Sequence, residues 1–156
     1  MNYIKKEIGV VDVLFGENVT VVHPSNLYGC QINDNTFIGP FVEIQKGVKI
    51  GKNCKVQSHA FICELVSIGD NCFISHGVKF VNDTFAKGGP AQGNKSLWHQ
   101  TTVGNHVSIG TNATILPVSI VSHVVIGAGA VVTKDITDPG VYAGNPAKLI
   151  KEFNKQ

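Results

Sequence analysis

The sequence predicts an all-β fold, a parallel β-helix of hexapeptide repeats in about six coils, and three observations carry that prediction. The first is an echo at 18 residues: Ile32-Asn33-Asp34-Asn35, Ile50-Gly51-Lys52-Asn53 and Ile68-Gly69-Asp70-Asn71 are one tetrapeptide written three times. The second is a shorter period inside it, with aliphatic or aromatic residues every six positions at Ile32, Ile38, Ile44, Ile50, Val56, Ile62, Ile68, Ile74 and Phe80. The third is a small or β-branched residue four places after each of these: Thr36, Val42, Val48, Cys54, Ala60, Val66, Cys72, Val78 and Thr84. Two inward positions per six, without the 3.6 spacing of a helix, describe a short strand followed by a corner. Three such hexads close a triangular coil of 18 residues, and coils stacked on one another bury a continuous core.

The corners agree with this. Gly or Asn follows the aliphatic position or sits three beyond it, where a tight turn calls for a residue tolerant of positive φ. A second run resumes at Val103-Gly104, Ile109-Gly110, Ile115, Ile120, Ile126-Gly127 and Val132, with one five-residue step between Ile115 and Ile120. Upstream, Phe15-Gly16, Val21 and Leu27 continue the pattern more weakly. An antiparallel sandwich would need alternation broken by hairpin turns and would not generate an 18-residue echo. The whole chain, 1–156, reads as one domain.

Thirteen Lys and no Arg stand against eleven acidic residues, without a basic run or basic-aromatic interleaving, which argues against nucleic acid as a partner. No stretch reaches the roughly 18 apolar residues of a membrane span, and Met1-Asn2-Tyr3-Ile4-Lys5-Lys6-Glu7 leads into no apolar signal segment. The expected location is the cytoplasm. Cys54 and Cys72 take the same inward position one coil apart and read as reduced core residues, while Cys30 and Cys63 form no CxxC and no metal pattern.

The repeat breaks after Phe80, and residues 82–101 read as a long corner loop whose Trp98 supplies an apolar anchor. Polar residues stack beside it. Glu64 and Asn82 lie 18 apart in one column, and Ser58 and His76 repeat that relation on the next face. A carboxylate, an amide and an imidazole are thus expected to converge near the two corners where the loop departs, able to orient an acceptor and remove a proton. His59, one residue further round, is the second choice for the base. If the loop leaves and returns at one corner, Thr111 and Ala128 extend the His76 column, and Pro117 and Lys134 extend the Asn82 column. That makes a groove of small residues with Lys134 along it, suited to an extended ligand with phosphates at one end. Beyond Thr137-Asp138-Pro139-Gly140 the chain leaves the coils. Residues 146–153 read as a short helix with Asn145 as N-cap, packing Leu149, Ile150 and Phe153 on the last coil.

From about Phe15 to Lys151 the chain resembles the left-handed β-helix acyltransferases, the hexapeptide-repeat family. The most specific segments are Ile126-Gly127-Ala128-Gly129-Ala130-Val131-Val132-Thr133-Lys134-Asp135-Ile136 and Val141-Tyr142-Ala143-Gly144-Asn145-Pro146-Ala147-Lys148, similar to the family's closing coil and coenzyme A region. The resemblance implies a left-handed coil, an exception to the usual right-handed crossover. It also implies acetyl-CoA as donor without a metal, a homotrimer, and active sites between subunits. Gly110, Thr111, Ala128, Lys134, Pro146 and Lys148 are the implied coenzyme A contacts.

Phe61-Ile62-Cys63-Glu64-Leu65-Val66 and His76-Gly77-Val78-Lys79-Phe80-Val81-Asn82-Asp83 look most like N-acetyltransferases of nucleotide-linked amino sugars, especially 3-amino hexoses, in cell-surface polysaccharide biosynthesis. The resemblance then implies His76 and Asn82 as catalytic residues, with Glu64, Asn82, Asp83 and Trp98 binding the acceptor. With no Arg present, Lys side chains and backbone amides would hold the diphosphate. An amine is nucleophilic once unprotonated and sheds its proton late, whereas a hydroxyl acceptor needs a base during attack. O-acetyl transfer to a sugar or serine, with His76 as obligate base, is the alternative. A zinc hydratase resembling gamma-type carbonic anhydrases would need three converging His ligands, commonly with two spaced five apart, and the six His contain no such pair. A non-enzymatic scaffold would bind no acyl-CoA.

Overall fold

The computed structural model describes Ile4 and residues 9–153. It is a left-handed parallel β-helix of about seven turns, one more than the repeats predict. The added turn begins at Val10–Val11, which pairs in parallel with Asn26–Tyr28, so the weak N-terminal hexads extend one strand further. Three sheets of seven, six and eight strands form the sides of the triangle.

Register follows the repeat. Ile32 pairs with Ile50 and Ile50 with Ile68, eighteen residues apart. Across the loop Ile68 pairs with Val103, Ile74 with Ile109 and Phe80 with Ile115, so the loop is a true insertion at one corner. The five-residue step is absorbed without losing the columns: Val103 pairs with Ile120, Ile109 with Ile126 and Ile115 with Val132. The aliphatic positions point inward, and Ile32, Ile38, Ile44, Ile50, Ile62, Ile74, Ile109 and Ile115 are fully buried. Their removal from water is the main stabilising term, since every coil covers its neighbours' apolar faces.

Where the inward position is small and polar, it makes a ladder. Thr36 Oγ1 donates to the Gly51 carbonyl and accepts from the Cys54 amide. Cys54 Sγ in turn donates to Gly69 O and accepts from the Cys72 amide. All four cysteines are free and buried.

The corner residues divide into two kinds, a refinement of the sequence expectation. Those three beyond the aliphatic position take the left-handed conformation, with φ of 57° at Asn35, 55° at Asn53 and 57° at both Asn71 and Asn112. The glycines directly after it do not. Gly51 and Gly110 are small because coils stack closely there: a Cβ would lie 2.5 Å from Gly69 and from the Ala128 amide nitrogen respectively.

The expected helix at 146–153 is absent. Lys148–Glu152 is instead a strand, antiparallel to Gly140–Ala143. The last coil presents an open row of backbone donors and acceptors, and pairing with it satisfies more of them than a single isolated helical turn could. Only Ala147 of this tail packs against the core, and Leu149, Ile150 and Phe153 stay largely exposed.

Candidate active site

Two consecutive corners carry the polar side chains. At the first, the turn after Phe73–Ile74, His76 is exposed and its Nδ1 lies 2.8 Å from Ser58 Oγ in the coil before. For Nε2 to act as a base, Nδ1 must hold the proton and donate it to that hydroxyl. Ser58 and no carboxylate orients the ring among the described residues. One residue earlier, Ser75 Oγ and Thr111 Oγ1 are 2.8 Å apart, tying this corner to the next coil. His59 lies against Phe41, with ring centroids 5.0 Å apart, and its carbonyl accepts from Lys79 Nζ.

At the second corner, after Lys79–Phe80, Asn82 Nδ2 donates to the Glu64 carbonyl at 3.2 Å. The Glu64 carboxylate reaches Lys95 Nζ at 2.5 Å, and that ammonium sits 5.3 Å from the centre of the Trp98 ring. The loop closes at its neck: the His99 amide donates to Asn82 O, and Asp83 bridges antiparallel to Trp98. Asp83 organises the loop with both carboxylate oxygens, Oδ1 accepting from the Phe85 amide and Oδ2 from the Ala91 amide.

Four members of this second corner escape sequence reasoning. Gln45 Oε1 accepts from the Glu64 amide, Gln45 Nε2 donates to Glu43 Oε1, and Tyr28 OH donates to the same oxygen at 3.3 Å. Burial, followed by the Glu43 charge, raises the Tyr28 phenol above its ordinary range. Glu43 sits 18 residues before Phe61, so the column was visible, but its partner there is apolar. Lys95, the fourth, lies in the non-repeating loop where no register exists to place it.

The polar residues stand at two separate corners. His76 and the Glu64–Asn82 group occupy opposite ends of one side of the triangle, with Lys79–Phe80 stretched between them, and no contact among the described residues joins them. Six residues of extended chain set at most about 20 Å between the two. The predicted coenzyme A residues divide the same way. Gly110, Thr111 and Ala128 follow His76 up its corner, with Thr111 and Ala128 exposed. The Gly129 amide donates to Thr111 O, and the coil above is reached where the Val131 amide donates to Gly144 O. Pro146 and Lys148 are exposed at that end, whereas Lys134 is exposed on the Asn82 corner. Gly110 has a packing reason of its own in the close approach of Ala128. No three His, Cys, Asp or Glu side chains among the described residues come together as a metal site.

Residues 29–64 match the family model described as bacterial transferase hexapeptide (six repeats), and residues 100–134 match the hexapeptide repeat of succinyl-transferase. The chain belongs to the hexapeptide-repeat transferases. The stretch between the two matches holds one further regular coil, through Ile68, Ile74 and Phe80, and then the corner loop. Galactoside O-acetyltransferase of Escherichia coli (strain K12) is 34% identical over 134 residues, 79% of this chain and 64% of that protein. The bifunctional protein GlmU of Prochlorococcus marinus (strain MIT 9211) is 27% identical over 161 residues, 92% of this chain. This hexapeptide-repeat chain spans about a third of the length of that relative, 33%. Among solved structures, galactoside acetyltransferase in complex with coenzyme A superposes with a TM-score of 0.68 at 30% identity, covering 81% of this chain and 66% of that one.

Proposed function

We propose that this protein is an acetyl-CoA-dependent N-acetyltransferase acting on the amine of a nucleotide-linked amino sugar, with a 3-amino hexose as the first candidate. The observation that carries the choice of amine is the setting of His76, held by the Ser58 hydroxyl rather than by a carboxylate. An imidazole without a carboxylate partner lacks the charge that stabilises imidazolium during attack, which suits a nucleophile that loses its proton late. Acetyl-CoA as donor is supported by the likeness to an acetyltransferase solved with coenzyme A and by the exposed small-residue groove running from His76 past Thr111 and Ala128.

The functional unit in this reading is a trimer. His76 and the Glu64–Asn82 group stand on successive corners of one chain, and in a trimer a neighbouring subunit can set its His76 corner against the Asn82 corner of the first. The acceptor nitrogen then forms its bond to the acetyl carbonyl carbon as the C–S bond breaks. The proton shed by the nitrogen passes through His76 Nε2 and ends on the departing thiolate. Asn82 and Glu64 orient the amine.

The test is release of free thiol from acetyl-CoA by the purified protein against UDP- and dTDP-linked amino sugars, free sugars and serine. Turnover confined to the nucleotide-linked amines supports the reading. A second reading, O-acetyl transfer, is favoured by the 34% identity to a galactoside O-acetyltransferase, and turnover confined to hydroxyl acceptors would establish it instead.

A further inference from the structure

We propose that Lys95 is a built-in surrogate for the acceptor's ammonium, occupying a cation site formed by the Glu64 carboxylate and the face of Trp98. This rests on the amine-acceptor reading and adds how the amine is recognised and what it must displace. The local geometry is dictated by the loop sequence. Asn94 caps a single 3-10 turn over Lys95–Leu97, its Oδ1 accepting from the Ser96 amide at 3.2 Å and the Ser96 hydroxyl at 2.7 Å. Trp98 follows, its amide donating to Lys95 O at 3.1 Å. In a 3-10 turn side chains three apart eclipse each other, so the Lys95 side chain is laid over the indole of Trp98.

The ammonium therefore has two of the elements that select a cation. Its Nζ is 2.5 Å from Glu64 Oε2 and 5.3 Å from the ring centre, inside the roughly 6 Å range of a cation–π contact. These elements come from different parts of the fold: Glu64 from the rigid coil beneath, Trp98 from the loop above. Asn82, bonded to the Glu64 carbonyl, borders the same spot. A primary amine on a sugar ring carries the same –NH3⁺ group near neutral pH, and a hydroxyl does not.

Lys95 is well suited to being displaced. Its side chain is 59% exposed while that of Glu64 is 22% exposed, so the cation can swing into water while the carboxylate stays in place. An exposed ion pair and an exposed cation–π contact are each weak, so displacement should cost the acceptor about three- to thirtyfold in affinity. Lys95 in this role sets a threshold: a ligand without a cation cannot replace what it removes.

The chain has one tryptophan, so its fluorescence reports on this site alone. The experiment uses the full chain with a dTDP-linked 3-amino hexose and its 3-hydroxy counterpart, comparing wild type with Lys95→Met and Lys95→Gln. Expected is a Trp98 fluorescence change on adding the amino sugar. Both variants should lower KM for the amine by about three- to thirtyfold, leaving kcat and the KM for acetyl-CoA unchanged. The 3-hydroxy sugar, which also no longer has to displace the cation, should gain by a similar factor and still bind more weakly than the amine, because Glu64 and Trp98 select a positive charge. If Lys95 were only a brace for the loop, its removal would raise KM, and that result, or an unchanged KM, overturns the surrogate while amine turnover keeps the N-acetyltransferase reading. Turnover of hydroxyl acceptors alone overturns both.

Discussion

In the proposed reaction His76 and Asn82 divide the chemistry between them, and substitutions can separate their parts. Asn82 is anchored through its side-chain amide to the Glu64 backbone, so Asn82→Ala removes an orienting group without opening the core and should cost about 10²-fold in kcat. His76→Asn should leave measurable turnover that rises at high pH, where more of the amine is already neutral. A variant that is inactive at every accessible pH, yet still binds acetyl-CoA, would point to a hydroxyl acceptor. Titration of buried groups also makes a stability prediction. Burial pushes the Cys30 thiol up to about 11 and the Cys63 thiol up to about 12, from 9.0. Both stay neutral in the folded state while the unfolded chain ionises near pH 9, so their contribution is intact below about pH 9 and is lost as pH rises toward 11 and 12. The urea midpoint should fall over that window, and in a Cys30→Ala/Cys63→Ala double variant the fall should be shallower. Individual site residues were only partly legible in the sequence. Ser58 with His76 and Glu64 with Asn82 can be paired because 18-residue spacing places both members, whereas the bonds by which Asp83 ties the loop to itself lie outside the repeat and have no spacing to show them.

At the scale of the element, the hexad is a strand and a corner, and the sequence writes both plainly. Even the five-residue step keeps its columns, because shortening one turn leaves the inward aliphatic positions in register. Two elements were not legible in the same way. The terminal segment carries helix signals in Asn145 and Pro146, yet the open edge at Gly140–Ala143 decides its conformation, a long-range effect that local preference does not record. The loop has no period, so its 3-10 turn and the placing of Lys95 on Glu64 depend on contacts that only the folded chain reveals. The packing role of the corner glycines can be tested against a loop glycine. Gly110→Ala would bring a Cβ to 2.5 Å from the Ala128 amide nitrogen and to 2.8 Å from both the Gly127 carbonyl carbon and the Ile126 carbonyl oxygen, all backbone of the next coil with little room to yield. It should destabilise by about 1–3 kcal/mol, the scale of overpacking. Gly89→Ala, in the loop with nothing within 4 Å of the new methyl, should stay within about 0.5 kcal/mol. Chemical denaturation of the two variants measures the difference.

At the scale of the whole molecule, stacking coils about 4.8 Å apart turns a repeat into a ruled surface on which the ligand's length can be read. From His76 the corner runs through Thr111 to Ala128, two coils up and roughly 10 Å along the axis, and on toward Gly144 and Pro146. Only small side chains line the middle of that path, and the backbone there is tied to its neighbours, the Gly127 amide donating to Tyr142 O and the Gly129 amide to Thr111 O. A bulky residue on this corner therefore obstructs the groove without disturbing the core. Ala128 is exposed, so Ala128→Trp should fold with an unchanged denaturation midpoint, while acetyl-CoA affinity falls by at least tenfold and acceptor affinity does not. The added indole would also respond to coenzyme A at a place distinct from Trp98, which lies on the other corner, and a Trp98→Phe background isolates its signal. A folded Ala128→Trp protein that binds acetyl-CoA as tightly as the wild type would remove this corner as the donor groove and shift the donor to the Lys134 corner at the far end of the same side.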